Sequence, residues 1–279
     1  MANVLLLHPG KMGSSVANAL IQAGHEVFWV SQGRSNQTRE RAEELGLCDV
    51  TDLSSALGKS EFVISVCPPE YAGSLAEEVI ERGYEGTYVD ANAVSPATSL
   101  GMGDLVGENY VDGGIIGPPA WNVGSTRIYL SGPRAANIAA LFEGTLLDSF
   151  VIEGEIGAAS ALKMCYAAYT KGSSALLLGV RALAERMGVT DSLISEWAIS
   201  QRGLEERSRN TAYSTSQKAW RFAGEMREIA ATYSAAGLPA GFHEAAAELF
   251  ERMKGFKDRD PATIDELTAE LLHGKKTLD

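Results

Sequence analysis

Residues 5–20 read LLLHPGKMGSSVANAL: a short apolar run, a turn carrying Gly10 and Gly13, then an amphipathic stretch. A buried-type strand that turns through glycines into a helix suits a phosphate-binding loop. In such loops the second glycine lets the backbone approach a pyrophosphate, and the third lets helix and strand pack closely. Gly10 and Gly13 occupy those two places, while His8 stands where the first glycine would be and Pro9 stiffens the turn. The helix start behind them offers free N–H groups and partial positive charge to a phosphate. An ordinary glycine-containing turn that binds nothing is the competing reading.

The same alternation continues to about Gly154. Strand candidates are NVLLLH (3–8), EVFWVS (26–31), FVISVC (62–67), TYVDAN (87–92), YVDGGII (110–116), RIYLSG (127–132) and FVIEG (150–154), with amphipathic stretches between several of them. This pattern predicts a parallel, doubly wound Rossmann-type sheet in residues 1–154. From residue 155 to 279 the pattern is helical only. One long apolar helix is expected from Ala158 to about Met187, with others near 191–207, 217–236, 242–254 and 261–271. The fold class is therefore α/β followed by an all-helical domain. The long helix carries more apolar surface than a small helical domain readily covers, so a homodimer is expected.

Composition narrows the partners. A net charge of −12 repels nucleic acid and anionic membranes, leaving a small-molecule substrate as the expected partner. Three irregularly spaced cysteines read as reduced thiols of a cytoplasmic protein. Four histidines without a His-Glu-x-x-His spacing give no metal site. His25, before a strand, reads as structural, and His243, near a helix start, as a surface residue.

Two further segments bear on chemistry. At the end of the second strand a dinucleotide loop that prefers NAD carries an acidic residue for the ribose hydroxyl. Here Ser31 stands there with Arg34 and Ser35 nearby, a set suited to a 2′-phosphate, so NADP is expected with NAD as the alternative. Lys163 lies two turns into the long helix among small and apolar residues. An ammonium there costs free energy without a partner or a task, and burial suits it to proton transfer near neutral pH. A lysine whose head reaches solvent is the alternative.

These segments together resemble the β-hydroxyacid dehydrogenase superfamily, and most of all its 6-phosphogluconate dehydrogenase-like NAD-binding branch, over almost the whole chain. The opening HPGKMGSSVANALIQAGHEV is similar to the family's Gly-x-Gly-x-Met-Gly segment, and VISVCPP to its cofactor-side loop. VDANAVSP is similar to the Asp-x-Ser-Thr-x-x-Pro segment. VDGGIIGPPA stands in place of the substrate motif, and GEIGAASALKMCYA in place of the catalytic lysine motif. The resemblance implies an NADP-preferring dehydrogenase or reductase acting on a small hydroxy-acid-like substrate, with Lys163 as general acid/base. It implies cofactor contacts at Gly10, Lys11, Met12, Ser31, Arg34, Ser35, Cys67, Pro68 and Asn92. Substrate contacts are expected at Gly117, Pro118, Tyr166 and Lys171. The family's asparagine after the lysine is Tyr166 here, and its motif serine is Ile116. These departures leave open an imine-reducing enzyme and a non-catalytic NADP-binding regulatory protein.

Overall fold

A computed structural model describes residues 1–273. The first compact unit, Met1–Met164, holds β1 (Asn3–Leu7), α1 (Lys11–Gln22), β2 (Glu26–Val30), α2 (Asn36–Glu44), β3 (Cys48–Val50), α3 (Leu53–Leu57), β4 (Phe62–Ser65) and α4 (Ala72–Glu81). It continues with β5 (Thr87–Asp90), α5 (Pro96–Val106), β6 (Tyr110–Ile116), β7 (Thr126–Ser131), α6 (Ala135–Ala140), β8 (Leu147–Val151) and the start of α7 (Ala158–Arg186).

The strands form one sheet in the order β3-β2-β1-β4-β5-β6-β7-β8. The unbroken apolar run of β1 follows from two-sided burial. Val4 and Leu6 enter the core on one face with Val16, Leu20 and Ile115. Leu5 and Leu7 enter the core on the other with Val63, Leu75 and Met102. Each fully buried leucine contributes about 1.5–3 kcal/mol. β1 pairs with β2 on one side and β4 on the other, so the chain reverses direction across the sheet at β1 and opens a crevice at the strands' carboxyl ends.

The sheet differs from the expected one in two ways. β7 is antiparallel to β6, because residues 117–125 are too few for a crossover helix and return the chain as a hairpin. β3 is an additional strand of three residues, too short to show a period.

The second unit begins at Cys165, inside α7, rather than at residue 155. The first turns of α7 are fastened to β6 and β7, which makes them part of the sheet unit. Beyond them come α8 (Thr190–Ser200), α9 (Leu204–Thr215), α10 (Ala219–Ala235), α11 (Gly241–Arg252) and α12 (Ile264–His273). The helix expected over 191–207 is two helices, broken where Gly203 adopts a φ of 83°. Within this unit Gly172 admits the Phe242 ring, and a Cβ there would meet Phe242 Cε1 at 2.9 Å. His243 is not a surface residue but a buried one, its ring centroid 4.1 Å from that of Tyr233 with the planes tilted by 56°, and its Nδ1 lacks a hydrogen-bond partner. Desolvation lowers its pKa. Among the described residues no helix is long and apolar enough to cross a membrane, and no group of three His, Cys, Asp or Glu is arranged to hold a metal ion.

Candidate active site

The carboxyl ends of β1, β2, β4, β5 and β6 lead into the loops that carry Gly10, Ser31, Arg34, Cys67, Pro68, Asn92, Gly117 and Pro118, whereas Lys163, Tyr166 and Lys171 lie on α7. α1 starts from Gly10 with no side-chain cap, whereas Ser35, Asp52 and Ser95 cap α2, α3 and α5. A Cβ at Gly10 would meet nothing within 4 Å, so open space lies above the helix start. Gly13 packs against the turn, where a Cβ would clash with the His8 carbonyl oxygen. An uncapped helix N-terminus facing open space is what a pyrophosphate requires. Lys11 also borders a groove with Ser14, Arg41, Glu44 and Trp121.

The β2–α2 loop is pinned by Arg39, which donates to the Ser31 carbonyl at 2.8 Å. The Ser31 N–H donates to the Asp49 carboxylate at 3.2 Å, and the Ser35 hydroxyl accepts from Thr38 N–H as the cap of α2. Arg34 is half-buried, and its Nε has no hydrogen-bond partner. Its pKa is lowered by burial, with the Glu78 and Cys67 groups opposing. An orphaned guanidinium nitrogen after β2 and an uncapped helix start after β1 are the donors a phosphate-bearing dinucleotide needs.

The loops after β4 and β5 are stitched by Asn92, which is buried. Its amide donates to Asp90 Oδ1 at 2.5 Å and to Ser65 at 3.0 Å, while its Oδ1 accepts from Cys67 N–H at 2.5 Å. In this structure the Asn92 amide is spent on its own chain, where it ties the β4 and β5 loops together. Burial pushes the Cys67 thiol up to about 12, so it is protonated at neutral pH.

The loop after β6 starts at Gly117, whose φ of 126° and approach to the Ser125 carbonyl exclude a side chain. The Pro118 carbonyl accepts from Thr126 Oγ1 at 2.5 Å. Beneath this loop Gly114 lets β6 meet α7, and a Cβ there would fall 2.9 Å from the Ala159 oxygen and 3.1 Å from Lys163 Cβ. Lys163 is half-buried and donates from Nζ to the Ile115 carbonyl at 2.5 Å. Its helix is anchored by Asp112, which is fully buried and had drawn no attention as a sequence feature. Asp112 accepts from Ser99, Ser131 and Ser160 hydroxyls and from the N–H groups of Gly157 and Ser160, at 2.6–3.0 Å.

Tyr166 is exposed on α7. Lys171 is not a free ammonium for a substrate. In the helical unit it pairs with Glu225 at 2.6 Å and lies over the Phe222 ring, both charges being about nine-tenths buried. That commitment removes it from the candidate set.

Residues 4–93 match the family described as NADP oxidoreductase, coenzyme F420-dependent, and residues 184–253 match a domain of unknown function, DUF1932. An uncharacterised 28.5 kDa protein from Methanothermus fervidus, described as in the 7S RNA 5′ region, is 32% identical over 182 residues, covering 65% of this chain and 70% of that protein. A conserved protein of unknown function, described as structurally similar to 3-hydroxyacid dehydrogenases, is 27% identical with a TM-score of 0.65, covering 91% of this chain and 98% of its own. A 3-hydroxyisobutyrate dehydrogenase from Salmonella typhimurium shares the fold, with a TM-score of 0.69 at 14% identity over 96% of this chain and 99% of its own. 6-Phosphogluconate dehydrogenase is a more distant relation. The chain thus belongs to one family with the Methanothermus fervidus protein, its residues 4–93 match an NADP oxidoreductase domain, and its eight-stranded, mostly parallel sheet with a helical C-terminal region is the fold of the 3-hydroxyacid dehydrogenases.

Proposed function

We propose that this chain is a cytoplasmic, NADP-preferring oxidoreductase that interconverts a hydroxyl and a carbonyl on a small organic acid. Gly10, Lys11 and Met12 hold the pyrophosphate through the uncapped start of α1, and Arg34 with Ser31 and Ser35 receives the 2′-phosphate. Pro68 and Cys67 wall the crevice, positioned by Asn92. When bound, the nicotinamide supplies or accepts hydride. Lys163 Nζ gives a proton to the substrate oxygen in reduction and takes it back in oxidation. Gly117 and Pro118 keep the substrate loop close to that nitrogen, and Tyr166 is retained as a substrate contact.

The observation that carries the reading is the Lys163 ammonium at the end of β6, 2.5 Å from the Ile115 carbonyl, where Gly114 brings helix and strand together. NADPH oxidation against a panel of keto acids and cyclic imines tests it. Turnover of keto acids supports the hydroxy-acid reading, and turnover of imines alone replaces it with imine reduction. Nucleotide binding without any turnover leaves the regulatory reading.

For cofactor choice, Arg34→Ala is expected to weaken NADPH binding by about 10–100-fold while leaving NADH within about twofold, a charge-assisted phosphate contact being worth about 1.5–3 kcal/mol. Fluorescence titration reads both. Tighter NADH binding that Arg34→Ala leaves unchanged contradicts the assignment.

The homodimer is proposed to form along α7. Tyr169, Leu176, Leu183 and Met187 are 54–70% exposed. With Ser173 and Val180 they recur at alternating spacings of three and four, the seam of a paired helix. Replacing both Leu176 and Leu183 by Asp is expected to give a monomer by sedimentation equilibrium. A wild-type protein that is already monomeric at micromolar concentration contradicts the proposal.

A further inference from the structure

We propose that His8 is a positioning residue for cofactor choice: when NADPH binds, its imidazole comes to accept a hydrogen bond from the Arg34 Nε–H and so orients the guanidinium toward the 2′-phosphate. The inference rests on the reading of Arg34 above. Its first support is backbone conformation. His8 is the one non-glycine residue among those described with a positive φ, 70°, in a turn where Gly10 N–H closes onto the His8 carbonyl at 2.7 Å. Glycine, usual at this place in the loop, adopts that conformation freely, whereas a Cβ strains it. Strain kept at a binding loop points to a task for the side chain.

The second support is a pair of orphaned atoms. His8 Nδ1 and Arg34 Nε are both buried without a hydrogen-bond partner. One is a ring nitrogen whose lone pair can accept, and the other is an obligatory donor. The two side chains lie within electrostatic range, with Glu78 facing both and Cys67 facing Arg34. Burial, aided by the Arg34 charge and opposed by a hydrogen bond to the Leu7 backbone and by the Glu78 charge, lowers the His8 pKa to about 4. The ring is therefore neutral at physiological pH and keeps its accepting lone pair, where a protonated ring would repel the guanidinium. With Nε–H held by His8, the terminal nitrogens of Arg34 remain free to fork a phosphate.

Fluorescence titration of NADPH and NADH into wild type, His8→Gly and His8→Asn tests the proposal. His8→Gly removes strain and acceptor together, so it is expected to melt no lower than wild type. Its NADPH Kd should rise about tenfold while its NADH Kd stays within about twofold. Asparagine tolerates positive φ and offers a side-chain oxygen, so His8→Asn should recover most of the NADPH affinity. In ¹⁵N-histidine-labelled wild-type protein, the His8 Nδ1 resonance, assigned by its loss in His8→Asn, should shift on saturation with NADPH and not with NADH. Equal changes for both nucleotides in His8→Gly, no change for either, or an unmoved resonance overturns the role of His8. A wild-type protein that binds NADPH no tighter than NADH overturns the Arg34 reading, and this one with it.

Discussion

Lys163→Ala is expected to leave NADPH affinity within about twofold of wild type and to lower turnover by about 10²–10⁴-fold, the usual contribution of a positioned proton-transfer group. The separation follows from where the residue sits. The proposed pyrophosphate site is on α1 and the β2–α2 loop, and Lys163 projects from α7 against β6. Removing its amine leaves Gly10 and Arg34 untouched. Lys163→Arg is expected to fail as well, because a guanidinium stays protonated through the working pH range. Steady-state NADPH oxidation with a binding titration on the same preparation makes the comparison. Undiminished turnover would take lysine out of the mechanism.

Asp112→Ala is expected to destabilise the protein by about 3–5 kcal/mol. The carboxylate is fully buried, and five donors from α5, β7 and α7 and the turn before it converge on its two oxygens. Its charge also lies at the N-terminal end of the 29-residue α7, where the helix dipole favours an anion. Alanine would leave the Gly157 and Ser160 N–H groups and three hydroxyls without their acceptor. Asp112→Asn keeps the shape but turns an NH₂ toward donors, and a loss of about 2 kcal/mol is expected. Urea denaturation followed by circular dichroism reads both variants. A loss below about 1 kcal/mol in Asp112→Ala would show that the network is dispensable. Because Asp112 fixes the turns that carry Lys163, Asp112→Asn should also lower kcat more than it raises the NADPH Kd.

What was legible in the sequence follows from how local each signal is. The β1 run, the glycine turn and the long helix are written in consecutive residues, and α7 spans Ala158–Arg186 against an expected end near Met187. β3, with three residues, carries no periodicity to read. The reversal at β7 was readable in principle from the short 117–125 connection. The Asp112 network was not, because its partners lie 13 to 48 residues away and are ordinary serines and backbone groups. Asn92 lay in a recognisable segment, yet its amide turns inward because Asp90 and Ser65 sit beneath it. Lys171 and His243 depend on packing between helices distant in sequence, against Glu225 and Tyr233. His8 drew notice as a replaced glycine, and its positive φ is the conformation that glycine would have supplied.

The most direct test is a crystal structure of the protein with NADPH bound. It is predicted to show the pyrophosphate on the first turn of α1, the 2′-phosphate on Arg34, and the nicotinamide ring close enough to Lys163 Nζ for one substrate atom to bridge them. A nicotinamide turned away from that nitrogen, with a bound substrate analogue reaching no proton donor on α7, would contradict the account.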